Sequence, residues 1–310
     1  MRVLVYGAGV LGSYLAHVLV RGGNQVTVLA RGKRAEELER DGLIIRHYFQ
    51  RKTTVDQVRV IRTLEAADIY DLIFVVMKYS DFPAVLPILA DNRSSNIIIV
   101  GNNTDARDMQ NYLKEHSNTS KSIAFGFQIS AGTRENGKTV CIRGGGGQMV
   151  LGGLDGPIPF KADLDLAFAN VKYKLIYHDN IDAWLKNHIV PILALTYAVT
   201  IHERRMKKIA GDGKLLRQIV AAMDEGFRVL EAQGYPLVPA GQALFIRKHP
   251  TLLRLLLKIY HLLPASRLVD GSAYEIAALS SVFRVWKNRS NVSTPNWDIL
   301  EEQFLAKGPF

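Results

Sequence analysis

Tyr6-Gly7-Ala8-Gly9-Val10-Leu11-Gly12 (YGAGVLG) is the stretch of sequence that decides the fold of the N-terminal half of the chain. It follows the apolar run Arg2–Tyr6, which predicts a β-strand, and it runs into Val10–Val20, whose apolar residues recur at helical spacing. Glycines in the pattern GxGxxG between a strand and a helix are typical of a dinucleotide-binding turn. The sequence therefore predicts a Rossmann unit; the alternative is a glycine-rich turn that binds no ligand.

The residues of this turn have separate expected roles. Gly7 allows the tight turn, Gly9 lets a pyrophosphate approach the backbone, and Gly12 lets the helix pack closely on the strand. The backbone N–H groups and the positive end of the helix dipole then hold the diphosphate. The cofactor-binding residues predicted here are Gly7, Ala8, Gly9, Val10, Leu11 and Gly12.

The end of the predicted second strand, Gln25–Ala30, indicates which nicotinamide dinucleotide is bound. NAD enzymes usually place Asp or Glu there, whose carboxylate accepts a hydrogen bond from the ribose 2′-hydroxyl. This chain has Arg31 instead, which can pair with a 2′-phosphate and stack on the adenine, and Lys33 or Arg34 is expected to add charge. The sequence favours NADP (NADPH) over NAD; the alternative is an exposed basic turn.

Short apolar runs alternate with amphipathic stretches up to about residue 120, which predicts a doubly wound parallel sheet with helices on both faces. Asp71–Met77 and Asn96–Val100 are near-continuous apolar runs, as expected of strands buried on both faces. Three further strand-like pieces predict an antiparallel or mixed extension of this sheet: Ser122–Ser130, Thr139–Arg143 and Gln148–Leu151. The run Gly144–Gly147 is interpreted as a turn, because no Lys-Ser/Thr pair and no helix follow it.

The C-terminal part has a helical pattern nearly to its end. The predicted helices are Asn180–Arg205, Gly213–Gln233, Val238–Arg247, Pro250–Leu263, Ala273–Lys287 and Asn296–Ala306. We therefore expect an α/β protein with an NADP-binding Rossmann domain over residues 1–178 and an all-helical domain over 179–310. The second domain would serve the substrate and dimerisation. For Pro250–Leu263 a core or dimer helix is favoured over a helix on a membrane surface.

Composition narrows the function classes. The formal net charge is +10, but the basic residues are spread out apart from Arg204–Lys208, which favours an anionic small molecule over nucleic acid. No apolar stretch is long enough to span a membrane, so no membrane partner is expected. The single cysteine, Cys141, excludes an internal disulfide and suits the cytoplasm. Eight histidines without metal-ligand spacing make a metal site an unfavoured interpretation.

Four motifs give the chain a resemblance to a known family. RVLVYGAGVLGSYLA (2–16), VVMKYSD (75–81), IIIVGNN (97–103) and DAWLKN (182–187) resemble the ketopantoate reductase (2-dehydropantoate 2-reductase) family in their order and approximate spacing. The resemblance implies a Rossmann domain, a following helical domain, and an active site in the cleft between them. It also implies NADPH-dependent reduction of a 2-keto acid, namely 2-dehydropantoate to pantoate in pantothenate biosynthesis, or of a related substrate.

The resemblance also implies roles for four residues. Lys78 matches a lysine near the nicotinamide, and Asn102 matches the asparagine after the next strand. Lys186 matches the catalytic lysine that protonates the developing alkoxide, and Glu275 matches a glutamate of the substrate site. Ordinary structural roles stay open for each: a turn lysine, a helix cap, an exposed helix lysine and an ion-pair residue.

The chain departs from the family pattern beside Lys186. Val190 and Ala194 stand where the family has asparagines that line the substrate pocket, so we expect weak binding of ketopantoate or a more apolar substrate. Ser266, Arg267 and Ser272 are candidates for binding the substrate carboxylate. A reductase of a different keto acid or imine, or a non-catalytic NADP(H)-binding redox sensor, are the alternative functions, and a homodimer is left open.

Overall fold

The computed structural model describes residues 1–268 and 272–308 of the chain. The chain divides into two compact units: Met1–Gly101 with Asp105–Asp182 form the first, and Asn102–Thr104 with Ala183–Phe310 form the second. The proposed division at residues 178/179 stays a prediction, and 269–271 and 309–310 of its second domain lie outside the described residues. No helix of the described ranges is both long enough and apolar enough to cross a membrane.

The first unit alternates strands and helices along the chain. Its elements are β1 (Arg2–Tyr6), α1 (Val10–Arg21), β2 (Gln25–Leu29), α2 (Gly32–Asp41), β3 (Leu43–His47), β4 (Lys52–Asp56), β5 (Arg59–Ile61), β6 (Leu72–Val76), a 3₁₀ turn (Tyr79–Asp81), α3 (Phe82–Asp91), β7 (Asn96–Val100), α4 (Ala106–His116), β8 (Ser122–Gln128), β9 (Ala131–Glu135), β10 (Lys138–Ile142), β11 (Gln148–Gly152), α5 (Lys161–Ala167) and β12 (Lys174–Tyr177).

The main sheet has the strand order β12-β11-β8-β7-β6-β1-β2-β5. All pairs from β5 to β8 are parallel, and β11 then pairs antiparallel with β8. Strand order reverses between β1 and β6, which is the switch point at which open α/β sheets bind ligands. The predicted doubly wound Rossmann-type sheet is confirmed, and β8 and β11 extend it as expected.

A second sheet, of order β4-β3-β10-β9, corrects one strand assignment. The run Thr139–Arg143 was expected to extend the main sheet, but β10 pairs parallel with β3 and antiparallel with β9. Sequence periodicity identifies a strand but not the strand it pairs with, which is why this assignment was wrong. Helix α1 lies against β3, β9 and β10 of the second sheet. Gly144–Gly147 connects β10 to β11 and is a turn, as expected.

A buried polar network lies between α1 and the second sheet. His17 Nδ1 is 2.5 Å from Asp56 Oδ2, and the His17 ring lies 5.0 Å from the ring of His47. His47 Nδ1 accepts a hydrogen bond of 3.1 Å from the Arg143 guanidinium, so its other nitrogen carries the proton and donates to Thr54 Oγ1 at 2.9 Å. Burial, together with the neighbouring His17 and Arg143, lowers the pKa of His47 to about 4.

We expect this network to make the stability of the first unit fall in mild acid. An unfolded His47 binds a proton near its usual pKa of about 6.5, whereas the folded one stays neutral down to about 4. The free energy of unfolding should therefore fall by about 1 kcal/mol per pH unit as pH drops through this window. Urea unfolding from pH 7.5 to 4.5 measures it, with His47→Gln as the non-titrating control. Equal slopes in both proteins would contradict the prediction.

The second unit is helical in its described part, which confirms the predicted all-helical region. Its helices are α6 (Ile181–Ile201, whose first two residues belong to the first unit), α7 (Met206–Gly211), α8 (Gly213–Ala232), α9 (Ala240–Lys248), α10 (Pro250–Leu262), a 3₁₀ turn (Pro264–Leu268), α11 (Ala273–Ser290) and α12 (Pro295–Ala306). The short helix α7 was not predicted, because its basic sequence carries little apolar periodicity. Trp297 of α12 is fully buried, and its ring stacks on Phe283 at 4.2 Å.

Candidate active site

The glycine turn lies between β1 and α1, at the switch point of the main sheet. Gly7 has φ +121°, and a Cβ there would lie 2.2 Å from the carbonyl oxygen of Val76. A Cβ on Gly12 would lie 1.9 Å from the carbonyl oxygen of Gly7 and 3.5 Å from a Val5 methyl group. These two positions therefore require glycine for the fold itself.

Gly9 differs from the other two glycines. It is the N-cap of α1 with φ −67°, and a Cβ built on it would meet no atom within 4 Å. The space in front of the first turn of α1 is therefore open, and this turn carries no acidic residue. An open, positively polarised helix N-terminus is where a diphosphate binds, so the geometry fits the group that the sequence predicts.

The two arginines after β2, Arg31 and Arg34, have different surroundings and different roles. Arg31 is exposed and occupies the N-cap position of α2 without a side-chain cap bond, and its Nη2 donates to the Tyr6 hydroxyl at 3.2 Å. Arg34 was expected to add charge to the cofactor site, but its guanidinium is buried. It donates to Ala8 O at 3.3 Å, Ser13 Oγ at 3.0 Å and Gly137 O at 2.9 Å. Arg34 thus holds the glycine turn, whereas Arg31 and Lys33 are exposed.

Lys78 follows β6 and is exposed at the start of the 3₁₀ turn. Its neighbour Tyr79 is buried, and the Tyr79 hydroxyl donates to the carboxylate of Asp105, the N-cap of α4. This bond fixes the segment that carries Lys78 at the carboxyl end of the sheet. No sequence pattern predicted that Tyr79 and Asp105 contact each other.

Asn102 and Glu275 meet in the second unit. Asn102 Nδ2 donates to Glu275 Oε1 at 3.1 Å, across 173 residues of sequence. Asn102 Oδ1 is buried and has no hydrogen-bond partner among the described residues. Asn102 does not cap α4, which begins at Ala106 after Asp105. The pair therefore presents one unsatisfied acceptor and one carboxylate, the kind of groups that bind a hydroxyl or amide.

Lys186 is buried in α6, and only 5% of its surface is exposed. Its ammonium lies 4.7 Å from the centre of the Tyr235 ring, a distance at which the ring face stabilises a cation. Asn187 fixes this arrangement, since its side chain donates to Pro236 O at 2.9 Å and to Ala183 O at 2.8 Å. Tyr235 was not predicted as a site residue, because no motif marks the turn after α8. Asn187 was not predicted either, although it ends the motif DAWLKN.

The apolar residues beside Lys186 belong to the core. Val190 and Ala194 are fully buried. A Cβ on Gly226 of α8 would lie 2.7 Å from a Val190 methyl group, which shows how closely the two helices pack there. At these two positions, α6 therefore offers no polar group to a ligand.

The three candidate carboxylate ligands gain little support. Ser266 is buried, and its hydroxyl donates to Leu263 O at 2.8 Å. The Arg267 carbonyl lies 3.4 Å from the Arg204 guanidinium, and Ser272 is the N-cap of α11 without a side-chain cap bond. No group of three or more His, Cys, Asp or Glu side chains that could hold a metal ion occurs within 1–268 and 272–308.

The sheet order and the glycine turn define a Rossmann-type dinucleotide-binding protein. Residues 3–156 match the model of the ketopantoate reductase PanE/ApbA family. Over this N-terminal part, the chain is similar to that family, whose members are oxidoreductases.

Similar proteins agree with this assignment. An uncharacterized oxidoreductase from Bacillus subtilis (strain 168), YkpB, is 51% identical over 45 residues, a match that spans 14% of this chain and only 15% of that protein. A ketopantoate reductase of the PanE/ApbA family from Ralstonia eutropha JMP134 is 20% identical, with a TM-score of 0.77 over 99% of this chain and 98% of that one. A D-mandelate dehydrogenase solved with NADH and anilino(oxo)acetate is 17% identical, with the same TM-score and coverage. These two structures share the fold over the whole chain.

The glycine turn allows a test that needs no ligand. Gly12→Ala should lower the free energy of unfolding by about 2 kcal/mol, because the new methyl group meets a backbone carbonyl that cannot move aside cheaply. Gly9→Ala should cost less than about 1 kcal/mol, because its methyl group enters open space. Denaturant unfolding of both variants beside the unmodified protein measures the difference. Equal losses would show that the turn is not packed as described.

Proposed function

We propose that this chain is an NADPH-dependent reductase that converts a 2-keto acid into the corresponding 2-hydroxy acid. The match of residues 3–156 to the ketopantoate reductase family model supports the reaction class. The observation that carries the proposal is the buried ammonium of Lys186 over Tyr235 in the second unit. Proton donation to a carbonyl oxygen is a function that an ammonium performs well.

The cofactor would be held by the glycine turn and Arg31. The open space at Gly9 leaves room for the diphosphate on the N–H groups of the first turn of α1. Arg31 follows β2 where NAD enzymes usually have an acidic residue, so its guanidinium would pair with a 2′-phosphate rather than a 2′-hydroxyl. Asn102 Oδ1, buried and without a described partner, is an acceptor suited to an amide or hydroxyl donor of the ligand.

The chemistry divides between the cofactor and the chain. When bound, the dinucleotide supplies the hydride for the carbonyl carbon. Lys186 donates a proton to the carbonyl oxygen, and its positive charge stabilises the alkoxide as it forms. The Tyr235 ring keeps the ammonium in place without competing for its protons, since a ring face accepts no strong hydrogen bond. Glu275, oriented by Asn102, would bind a hydroxyl group of the substrate.

The substrate would be more apolar than 2-dehydropantoate. The residues one and two helical turns after Lys186 are Val190 and Ala194, and both are fully buried. A site without amides there gains little from a substrate hydroxyl group, whereas an apolar side chain loses no hydrogen bond on entering it. A branched aliphatic or aromatic 2-keto acid fits this description better than 2-dehydropantoate. The D-mandelate dehydrogenase structure contains an aromatic oxo acid derivative.

Removing the guanidinium of Arg31 should change cofactor preference. In Arg31→Ala the 2′-phosphate loses its partner, so NADPH should bind about 10–100-fold more weakly while NADH binding changes little. Calorimetric titration with both cofactors measures this change in affinity. Lys33→Ala, which removes a neighbouring positive charge on α2, is the control variant. Tighter binding of NADH than NADPH by the unmodified protein would overturn the assignment of NADPH.

Removing the ammonium of Lys186 should abolish turnover. NADPH oxidation is followed with 2-dehydropantoate, 2-oxoisovalerate and benzoylformate; we expect the highest kcat/KM for one of the latter two. Lys186→Ala should lower kcat by at least about 100-fold with the NADPH affinity unchanged, because general acid catalysis contributes about that much. Tyr235→Phe, which keeps the ring face, should retain activity, whereas Tyr235→Leu should lose much of it.

A redox sensor without catalytic activity is the second candidate function. The apolar Val190 and Ala194, where pocket amides are usual in the family, favour it. Tight NADPH binding with no turnover of any of the three acids would support the sensor and contradict the reductase.

A further inference from the structure

The tip of the β3–β4 hairpin forms a cavity of about 490 Å3 on the first unit. The cavity is lined by residues 46–49 and 51–53, which are the end of β3, the turn and the start of β4. We call these seven residues the hairpin pocket. None of them belongs to the glycine turn or to the segment after β2, so the hairpin pocket is a second candidate site on this unit.

The hairpin pocket carries three cations and no anion. Arg46, Arg51 and Lys52 are exposed, and no Asp or Glu side chain lines the cavity. Among the described residues, none of the three cations has an ion pair or a side-chain hydrogen bond. Exposed arginines elsewhere in the unit do pair, as Arg62 does with Glu39 at 2.6 Å. Three like charges within seven residues repel one another, and a bound anion would relieve that repulsion.

Two aromatic side chains stand among these cations. Phe49 is 58% exposed, and its ring centre lies 5.3 Å from that of the half-buried Tyr48. An exposed phenylalanine ring offers a flat apolar face on which another planar ring can stack. The hairpin pocket therefore combines groups that bind a charged part and a flat apolar part of one ligand.

The hairpin tip is held in place by the second sheet. The Tyr48 N–H donates to Cys141 O of β10 at 2.9 Å, and the Arg51 N–H donates to Tyr48 O at 3.3 Å and closes the turn. Arg51 has φ +50°, in the left-handed region that favours glycine, so its backbone is strained by about 1 kcal/mol. Strained residues of this kind concentrate at ligand-binding sites. The tip is thus ordered before any ligand binds, and its strained position carries a cation.

We propose that the hairpin pocket binds a nucleoside di- or triphosphate. The phosphates would pair with Arg46, Arg51 and Lys52, since guanidinium and ammonium groups bind phosphate oxygens, and the base would stack on Phe49. A cavity of about 490 Å3 suits a ligand of this size and exceeds what a single phosphate ion fills. A nucleic-acid strand shares this chemistry but needs a groove that follows its backbone, whereas these cations are confined to one hairpin tip.

Calorimetric titration of the full chain with ATP tests this site. The titration is run at about 0.05 M NaCl, where charge screening is weak. It is run with and without saturating NADPH, because ATP resembles the adenine half of the dinucleotide and competes for the glycine turn. With NADPH present we expect one ATP per chain, with a Kd on the order of 10–100 μM. Tripolyphosphate, which lacks a base, should bind about 10-fold more weakly.

Two variants separate the parts of the hairpin pocket. Arg46→Ser with Arg51→Ser should weaken the binding of both ATP and tripolyphosphate by at least about 50-fold. Phe49→Ala should weaken ATP binding alone, by about 10-fold. Both variants should keep the melting temperature and the NADPH affinity, because exposed side chains contribute little to folding. Arg59→Ser with Arg93→Ser is the matched control, since it removes the same charge from exposed arginines elsewhere in the first unit and should leave ATP binding intact.

The pocket variants decide the site whether or not NADPH binds, so this test is independent of the proposed reductase activity. An unmodified protein that binds no ATP, or binding that survives in Arg46→Ser with Arg51→Ser, would overturn the proposal. So would an equal loss in the control pair, which would make the binding a general effect of net charge. Tighter binding of an oligothymidylate than of ATP would also overturn it, by assigning this surface to nucleic acid.

Discussion

The N-terminal unit depends on one close backbone approach, that of Gly12 to the carbonyl of Gly7, where a Cβ would stand 1.9 Å from the oxygen. This contact brings the first turn of α1 directly over the end of β1 and aims its N–H groups at the switch point of the sheet. Arg34 holds the same turn from the other side through Ala8 and Ser13. The helix N-terminus is thus fixed before any ligand arrives, and binding requires little ordering of the chain.

The second unit contains a buried cation, the ammonium of Lys186. Lys186 loses most of its contact with water, and the face of Tyr235 offsets part of that cost. Asn187 secures the turn that carries Tyr235, so the lysine and its aromatic partner are held by the same helix. Because the next turns of α6 pack into the core, polar recognition is confined to the start of the helix.

Sequence by itself determined the doubly wound α/β class of the N-terminal unit, the helical C-terminal region, the glycine turn and the cation after β2, because these depend on local periodicity and backbone sterics. Only the tertiary structure decided that β10 joins a second sheet, that Arg34 turns inward to the glycine turn, and that Asn102 meets Glu275 across 173 residues. It also decided that Tyr235 covers Lys186. These contacts join residues far apart in the chain, and no periodic pattern encodes which distant partner a side chain will find once the core has packed.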